Sequence, residues 1–270
     1  MISCKLQGGL GNQMFQIAAS AALAMRNNDE FCYDLEDHYL PFQGKKADNY
    51  VDNIFRKIVF SSDIDKSNIY KESKRSYSKI AYSIAFLKYF SKIAYSNNLF
   101  LVGYFQSEKY FSDKEKEIRY LFSIDSHTEN FINEKYGRLL TKRTTSIHIR
   151  RKDYLKFKDI HPVCKKEYYL EAIKYLPEAE KYLIFSDDIE WCRENFRNKC
   201  FKIISGEKDY IDLFLMSYCD NNIIANSSFS WWGAWLNSKP DKRIVAPKAW
   251  FGPGVTHDTR DIIPNGWKII

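Results

Sequence analysis

Residues 2–26 read ISCKLQGGLGNQMFQIAASAALAMR, and this stretch decides the fold. Its first residues alternate apolar and polar side chains, which is typical of a β-strand, and the glycines of 8–11 end that strand. Residues 12–26 are rich in Ala, Met and Leu, which favour a helix. Because residues 31–34 (FCYD) suggest another short strand, the order strand, glycine turn, helix, strand indicates the opening of a Rossmann-like unit.

The second half of the chain alternates short apolar strands with helices. We predict strands at 145–150, 182–185, 201–204, 222–225 and, as the last of the chain, 243–246, and helices at 166–176, 189–196, 210–219 and 229–236. This alternation is typical of a parallel sheet covered by helices on both faces. The sequence therefore predicts an α/β chain of two Rossmann-like domains facing each other across a cleft. Residues 1–140 form the first predicted domain and residues 141–270 the second.

The composition is that of a globular protein with an affinity for anions. Hydrophobic residues make up 45% of the chain and charged residues 28%, so disorder is not expected. The formal net charge is +7, from 41 basic and 34 acidic residues, and most of the basic excess follows residue 140. This excess fits a ligand that carries phosphate, without selecting one.

The cysteines and the hydropathy pattern indicate a cytoplasmic protein. The six cysteines are scattered, with no CxxC pair and no zinc-type spacing to histidine, so reduced and buried thiols are expected. The first residues show no basic leader before an apolar segment. No stretch reaches the apolar length that spans a bilayer, so we expect neither a secretion signal nor a membrane span.

The glycine-rich turn GGLGNQ at 8–13 is the first candidate ligand site. Glycines between a strand and a helix let a ligand approach the backbone, and the helix N-terminus favours an anion. Gly9, Gly11 and Asn12 are therefore candidate binding residues. A dinucleotide site is an alternative, with Asp34 as its ribose-binding acid, but the third glycine of that motif is missing. A plain tight turn is the other alternative, and it leaves Asn12 unexplained.

The segment HIRRKD at 148–153 follows a buried strand at its carboxyl end, which is where open α/β sheets bind ligands. Guanidinium groups match phosphate oxygens in pairs and neutralise charge without a metal. His148, Arg150 and Arg151 are therefore candidate anion-binding residues. The alternative is a solvated turn in which Arg151 pairs with Asp153.

Two further polar clusters follow strands of the second half. In FSDD at 185–188, Asp188 is a candidate N-cap of the next helix. Only one of the two carboxylates is needed for that role, so the other is free to accept the paired N–H donors of a guanine edge. In NSSFSWWGAW at 226–235, a polar cluster opens a helix and presents hydroxyl and backbone N–H groups to phosphates. The candidates there are Asn226, Ser227, Ser228, Phe229 and Ser230, whereas Trp231, Trp232 and Trp235 are interpreted as packing residues.

Taken together, the four segments resemble the bacterial type of the α-1,2-fucosyltransferase family, which is glycosyltransferase family 11-like. The resemblance rests on GGLGNQMFQ at 8–16, HIRRKD at 148–153, FSDD at 185–188 and NSSFSWWGAWL at 226–236, which follow one another in order across most of the chain. It implies a GT-B-like fold whose second domain binds GDP-β-L-fucose and whose first domain lies on the acceptor side. It also implies transfer of L-fucose with inversion, and without a metal or cofactor, to the 2-hydroxyl of a galactose in an oligosaccharide such as a surface glycan or O-antigen unit.

The resemblance also implies roles for single residues. Arg150 is expected to hold the β-phosphate of GDP, with Asn12 close to the same phosphate and Asp153 grouped with them as catalytic. Breaking the bond between GDP and fucose builds negative charge on GDP, so a preorganised Arg150 would stabilise the leaving group. His148 and Asp187 are expected near the guanosine, and residues 227–229 are expected to close over the diphosphate.

The general base that takes the proton of the acceptor hydroxyl is left open. A carboxylate or a histidine suits this role. The candidates are Asp34, Asp37, His38 and Asp153.

The basic and aromatic stretch 66–92 suggests contact with a membrane. Its later part predicts a helix at 78–96, and basic residues interleaved with apolar ones suit an interfacial helix near anionic lipid. A lipid-linked acceptor at the inner face of a membrane would fit this hypothesis. The alternative is an amphipathic helix packed on its own domain. A nucleic-acid partner is not expected.

Two rival functions remain open at this point. A metal-dependent GT-A transferase needs a DxD motif at a strand end, and Asp63 and Asp65 fit the letters in a polar stretch without a convincing strand before it. A non-catalytic glycan-binding protein would use the aromatic residues, which make up 16% of the chain, but it has no need for the arginine pair.

Overall fold

A computed structural model of the chain describes residues 1–36, 44–72 and 98–270. The described chain forms two compact α/β units. The first comprises Met1–Ile124 and His257–Pro264, and the second comprises Asp125–Thr256 and Asn265–Ile270. The division falls before residue 140, the predicted boundary, because the helix Ser126–Leu140 packs against the helix Asp209–Tyr218 of the second unit.

The first unit is built on a small parallel sheet. Its elements are β1 (Ile2–Cys4), α1 (Leu10–Arg26), β2 (Ile69–Lys71), β3 (Leu99–Val102) and α2 (Glu115–Leu121), with short 3-10 turns at Ala47–Tyr50, Glu108–Tyr110 and Ser112–Lys114. The described strands lie in the order β1-β3-β2, with Ile2 opposite Leu99. The predicted strand at 31–34 is reduced to two isolated bridges, which join Phe31 to Ile2 and Tyr33 to Phe60.

Helix α1 is buried on nearly all sides, as its Ala-rich sequence allows. The buried side chain of Gln16 is hydrogen-bonded on both its oxygen and its nitrogen. The side chain of Gln16 accepts the backbone N–H of Gln7 at 2.9 Å and donates to the carbonyl of Gly103 at 3.1 Å. These bonds tie the glycine-rich turn to the chain that follows β3, so the start of α1 is held from two sides.

The second unit carries a larger parallel sheet, as predicted. Its elements are α3 (Ser126–Leu140), β4 (Thr144–Ile149), α4 (Lys166–Tyr175), β5 (Lys181–Ser186), α5 (Ile189–Asn195), β6 (Phe201–Ile204), α6 (Asp209–Tyr218), β7 (Asn221–Ile223), α7 (Ser228–Leu236), β8 (Ile244–Ala246) and β9 (Lys268–Ile269). The predicted strands and helices of this half are confirmed to within a few residues. The prediction that 243–246 is the last strand is wrong, because β9 pairs with β8 through Val245 and Lys268.

The strand order brings three of the sequence motifs to one place. The sheet runs β6-β5-β4-β7-β8-β9, so the order reverses between β4 and β7. Such a switch point opens a crevice at the carboxyl ends of the strands, where α/β proteins bind ligands. Segment 148–153 spans the end of β4, segment 185–188 spans the end of β5 and segment 226–230 follows β7. The three segments therefore meet at the centre of one sheet edge.

Below this edge, the sheet rests on a close-packed apolar core. Ile147, Ile184 and Ile223, from the three central strands, are fully buried. The predicted packing role of the tryptophans is confirmed, since Trp231 and Trp232 are fully buried and their rings meet edge to face at 5.1 Å. The residues before and after the motifs are thus immobilised by packing.

The predicted membrane-contact stretch falls largely outside the described residues. Of 66–92, the structure describes only 66–72, and the helix predicted at 78–96 is not among the described residues. Within the described part of the chain, no helix combines the length and apolar character that a membrane span requires.

Two glycines of the second unit give a test of its packing. A Cβ on Gly252 would lie 2.4 Å from the carbonyl oxygen of Asp159, whereas a Cβ on Gly137, in α3, would meet nothing within 4 Å. We expect Gly252→Ala to lower the free energy of unfolding by about 1–3 kcal/mol, because the backbone must move. Gly137→Ala should raise it by about 0.5–1 kcal/mol, because alanine favours a helix. Urea unfolding followed by tryptophan fluorescence measures both, and a Gly252→Ala variant as stable as the parent would contradict the packing described.

Candidate active site

The turn after β4 holds Arg150 between two carboxylates. Its Nη2 donates to Oδ2 of Asp153 at 2.8 Å, and its Nε lies 3.4 Å from Oδ2 of Asp187. Burial favours loss of the arginine's proton, but the Asp153 hydrogen bond and the charges of both aspartates outweigh it and raise the pKa of Arg150. The Arg150 side chain remains 37% exposed. The arrangement therefore presents a fixed cation that an anionic ligand can reach.

Asp187, at the end of β5, organises the backbone of that turn. Its Oδ1 accepts the N–H of Arg151 at 2.9 Å and its Oδ2 accepts the N–H of Lys152 at 3.2 Å. Burial raises the pKa of Asp187, and the charge of Arg150 opposes that rise. One carboxylate thus fixes the direction in which the loop leaves β4.

Asp188 caps the next helix and anchors Arg151. Its Oδ1 accepts the N–H of Trp191 at 3.3 Å, which is the predicted N-cap bond, and its Oδ2 accepts Nε of Arg151 at 3.0 Å. The Arg151 guanidinium also lies 4.1 Å from the ring centre of Trp191. All four oxygens of Asp187 and Asp188 have partners in this structure, so neither carboxylate is free, and contact of either one with a guanine edge stays a prediction. The alternative pairing of Arg151 with Asp153 is not the one observed.

His148 lies near the end of strand β4, two residues before Arg150, and its imidazole is buried and neutral. Its Nδ1 has no hydrogen-bond partner among the described residues, and its ring lies 5.4 Å from that of Phe229. Burial, followed by the positive charge of Arg150, lowers the pKa of His148 to about 3. The imidazole is therefore uncharged at neutral pH and contributes a polar, uncharged wall beside the arginine.

The segment after β7 supplies the open end of α7. Ser227 is the N-cap residue, yet its side chain makes no capping hydrogen bond. Ser228 and Phe229, in the first turn of α7, are partly exposed. The first N–H groups of a helix lack intrahelical partners and favour anions. This end of α7 thus offers hydroxyl and N–H donors, and it follows β7, the strand that pairs with β4.

Two other predicted donor-binding residues of this segment face the protein interior. Asn226 is 2% exposed, and its Nδ2 donates to the carbonyls of Pro162 and Trp250, each at 3.0 Å. Ser230 is fully buried, and its hydroxyl lies 3.3 Å from the carbonyl oxygen of Ser227. Both side chains hold the segment together in this structure, and their contact with a donor stays a prediction.

The sequence interpretation missed three aromatic residues of the site. Tyr154 lies under the turn, with its ring centre 5.8 Å from the Arg150 guanidinium carbon. His161 stacks on Tyr154 at 4.7 Å, and Trp191 lies beside Arg151. Tyr154 follows the HIRRKD segment directly and Trp191 lies one helical turn after Asp188, so position gave a signal for these two. Nothing in the sequence pointed to His161.

Gly9, Gly11 and Asn12 belong to the first unit, at the start of α1. Gly9 is the N-cap residue of α1, and Asn12 donates its backbone N–H to the Gly9 carbonyl at 2.9 Å. The Oδ1 atom of Asn12 accepts the side-chain N–H of Gln106 at 2.6 Å. Gly8 has φ +80°, and a Cβ there would lie 2.4 Å from Nδ2 of Asn12, so the turn requires glycine. The Asn12 side chain is thus held in one orientation.

The candidates for a general base differ in their surroundings. Asp34 pairs with Lys66 at 2.9 Å. Burial tends to raise the pKa of Asp34, but the hydrogen bonds from Lys66 and from the backbone of Glu36, with the charge of Lys66, together outweigh it and lower the pKa. Asp153 is engaged with Arg150 in the second unit. Asp37 and His38 lie outside the described residues. The general base therefore remains unassigned.

The DxD motif of the rival GT-A function is not placed at a strand end. Asp63 and Asp65 lie in irregular chain before β2, and Oδ1 of Asp65 accepts the N–H of Ser67 at 2.8 Å. Among the described residues, no cluster of three metal-ligating side chains is formed.

Comparison with known proteins identifies the family. The protein-family model described as "Glycosyl transferase family 11" matches residues 1–270 of the sequence. The chain belongs to this family. This family 11 glycosyltransferase is 33% identical in sequence to an Escherichia coli alpha-1,2-colitosyltransferase, over 93% of this chain and 92% of the relative. It is 32% identical to the Escherichia coli O-antigen biosynthesis glycosyltransferase WbnK, over 93% of this chain and 95% of the relative. It is 26% identical to a Caenorhabditis elegans galactoside 2-alpha-L-fucosyltransferase, over 88% of this chain and 69% of the relative.

The fold of this family 11 member is GT-B-like. It is similar to the crystal structure of NodZ alpha-1,6-fucosyltransferase soaked with GDP-fucose, with a TM-score of 0.55. The match covers 92% of this chain and 94% of NodZ at 12% sequence identity. The predicted α/β, GT-B-like fold class is confirmed.

The buried His148 of this glycosyltransferase gives a prediction about pH. The imidazole stays neutral in the folded protein, whereas in the unfolded chain it takes up a proton below its ordinary pKa of 6.5. The folded state therefore loses stability as the pH falls below 6.5. Between pH 7.5 and pH 5, we expect His148 to account for a loss of about 2 kcal/mol in the free energy of unfolding.

Urea unfolding at the two pH values, for the parent and for His148→Gln, measures this contribution. The variant should lose about 2 kcal/mol less than the parent over that interval. An equal loss in both proteins would show that His148 titrates normally in the folded state.

Proposed function

We propose that the chain transfers L-fucose from GDP-β-L-fucose to the 2-hydroxyl of a galactose in an oligosaccharide, with inversion at the anomeric carbon. The observation that carries the proposal is the fixed Arg150 cation at the sheet switch point, one strand away from the open end of α7. A nucleoside diphosphate carries its charge on closely spaced phosphate oxygens, which suit a guanidinium and a helix N-terminus together. The proposal is supported by the activities of the relatives, one an alpha-1,2-colitosyltransferase and one a galactoside 2-alpha-L-fucosyltransferase.

The chemistry requires stabilisation of the departing diphosphate. As the bond between fucose C1 and the β-phosphate oxygen breaks, electrons pass to GDP and the sugar gains positive character. Arg150 is already held by Asp153 and Asp187, so it needs no rearrangement when that charge develops. Such preorganised donors account for a large share of the rate in many enzymes. The first N–H groups of α7, with the hydroxyls of Ser227 and Ser228, would share the charge.

We further propose that catalysis needs no metal ion. The arginine and the helix N-terminus can supply the charge compensation that a divalent cation supplies in other transferases. Activity in EDTA tests this part of the proposal directly.

The acceptor is proposed from the names of the relatives. One of them forms an α-1,2 linkage, one acts in O-antigen biosynthesis and one is a galactoside transferase. A galactose-terminated unit of a bacterial surface glycan, carried on a lipid or free, is consistent with all three. The membrane contact of residues 66–92 remains a separate hypothesis about the delivery of such a lipid-linked acceptor.

Arg150→Ala is the variant that tests the proposal. The protein is incubated with GDP-fucose, EDTA and a panel of galactosyl disaccharides, and both GDP release and product mass are followed. We expect a fucosylated product from the parent, and a rate roughly 100- to 1000-fold lower for Arg150→Ala, because a charged donor to the leaving group is lost. Arg193→Ala is the matched control, since Arg193 is an exposed arginine of the same unit paired with Glu190.

The outcomes separate the alternatives. A product that forms only after a divalent metal is restored would support the rival function of a metal-dependent GT-A transferase. The absence of both product and GDP binding would reject the proposed donor and favour a glycan-binding protein. Digestion of the product by a fucosidase specific for the α-1,2 linkage tests the position of transfer.

The choice of donor sugar has its own test, because one relative is a colitosyltransferase. Colitose is fucose without its 3-hydroxyl. A site that hydrogen-bonds that hydroxyl rejects the deoxy sugar strongly, whereas a site without such a bond accepts both. We expect kcat/KM for GDP-fucose to exceed that for GDP-colitose, measured side by side with one acceptor. The reverse order would reassign the donor while leaving the role of Arg150 intact.

A further inference from the structure

Tyr154 joins the two halves of the candidate donor site. We propose that it is a positioning residue, which sets the distance between the Arg150 turn and the start of α7 so that both can contact one diphosphate. The inference rests on the proposed function and adds a residue to it.

The contacts of the tyrosine reach both halves. Its ring centre lies 5.8 Å from the Arg150 guanidinium carbon, on the β4 side. Its hydroxyl donates to the backbone carbonyl of Asn226 at 2.8 Å, on the β7 side, and also interacts with the side chain of Ser227. The residue is 8% exposed. A single buried side chain thus contacts the predicted phosphate-binding cation and the N-cap of the phosphate-facing helix.

The ring itself is fixed by a further contact. His161 stacks on it with an interplanar angle of 17° and a centroid distance of 4.7 Å. The chain between Tyr154 and His161 is closed by backbone hydrogen bonds, such as the one from His161 N–H to the Phe157 carbonyl at 2.8 Å. Because the tyrosine cannot turn away, its hydroxyl determines where the Asn226 carbonyl, and hence Ser227, lies.

The hydroxyl and the ring have separable functions. Burial raises the pKa of Tyr154 well above its usual value, so the group stays a neutral donor. Phenylalanine would keep the stack on His161 and the contact with Arg150. It would leave the Asn226 carbonyl without this donor, and a buried polar group without a partner is costly. Tyr154→Phe therefore disconnects the two halves while preserving each of them.

Tyr168 offers a matched control. Its hydroxyl donates to the carbonyl of Ile224 at 2.6 Å, in the same segment after β7. Tyr168 is partly buried, and no described contact joins it to Arg150 or Ser227. If tyrosines of this region serve stability alone, Tyr154→Phe and Tyr168→Phe should behave alike.

The experiment measures the affinity for GDP and the melting temperature of the parent and both variants, by titration calorimetry and thermal unfolding. We expect both variants to melt at a lower temperature than the parent. We expect roughly tenfold weaker GDP binding for Tyr154→Phe, because ligand binding must restore the lost alignment, and near-parental binding for Tyr168→Phe. The KM for GDP-fucose should rise with the dissociation constant for GDP.

Equal GDP affinity in the parent and in Tyr154→Phe would overturn the inference and leave the proposed function standing. Equal weakening in both variants would also overturn it, because the effect would then be general loosening. Absence of GDP binding by the parent would instead reject the proposed function. If Tyr154→Phe does not fold, His161→Leu decides, since it removes the stacked ring but keeps the hydroxyl. Weaker GDP binding by that folded variant supports the inference, and unchanged binding contradicts it.

Discussion

The candidate site of the second unit depends on the carboxylate of Asp187. It stands at the end of β5 and accepts two successive backbone N–H groups of the turn that leaves β4, while it also faces the Arg150 guanidinium. Two parallel strands that pair along their length would otherwise end in independent loops. Here one side chain makes the loop after β4 follow the end of β5. The direction of the Arg150 side chain is a consequence of that constraint.

The remaining contacts of the site extend this constraint outward. Asp188 caps α5 and holds Arg151 against Trp191, so the second arginine is committed to structure and the first remains available. On the opposite side, Asn226 fastens the segment after β7 to the carbonyls of Pro162 and Trp250. The interior-facing side chains of Asp188 and Asn226 thus have defined partners, whereas the Arg150 cation and the first N–H groups of α7 stay accessible. This distribution suits an anion that arrives from solution.

Much of this could be predicted from the sequence, for identifiable reasons. The parallel strands of the second unit are short and mostly apolar, so the predicted ends of Lys181–Ser186 and Phe201–Ile204 agree with the structure to within one residue. The clustering of the 148–153, 185–188 and 226–230 segments follows from the rule that ligands bind at the carboxyl ends of such strands. Local pattern thus sufficed for five strands of the second sheet, β4 to β8, and for the meeting of these three segments.

Other features could not be predicted, because they depend on contacts between distant residues. Asp187 and Asp188 look alike in sequence, and only the fold shows that all their oxygens are already bonded to the Arg150 turn and to α5. The strand Lys268–Ile269 is too short to show an apolar pattern in the sequence. It is defined by its parallel pairing with β8, which no local signal reveals. The small sheet of the first unit joins Ile2–Cys4 to Leu99–Val102 across a long separation in the chain, which no local signal reveals. Tyr154 looked like an ordinary aromatic residue until its hydroxyl was found on the Asn226 carbonyl.

The central claim is that Arg150 binds the terminal phosphate of a guanosine diphosphate. Comparing the affinities of GDP and GMP for the parent and for Arg150→Ala, by titration calorimetry, tests it most directly, because the two ligands differ by the β-phosphate alone. We expect the parent to bind GDP more tightly than GMP and this preference to disappear in Arg150→Ala. A preference of the same size in the variant would contradict the proposed role of Arg150, since the β-phosphate would then be held by other residues.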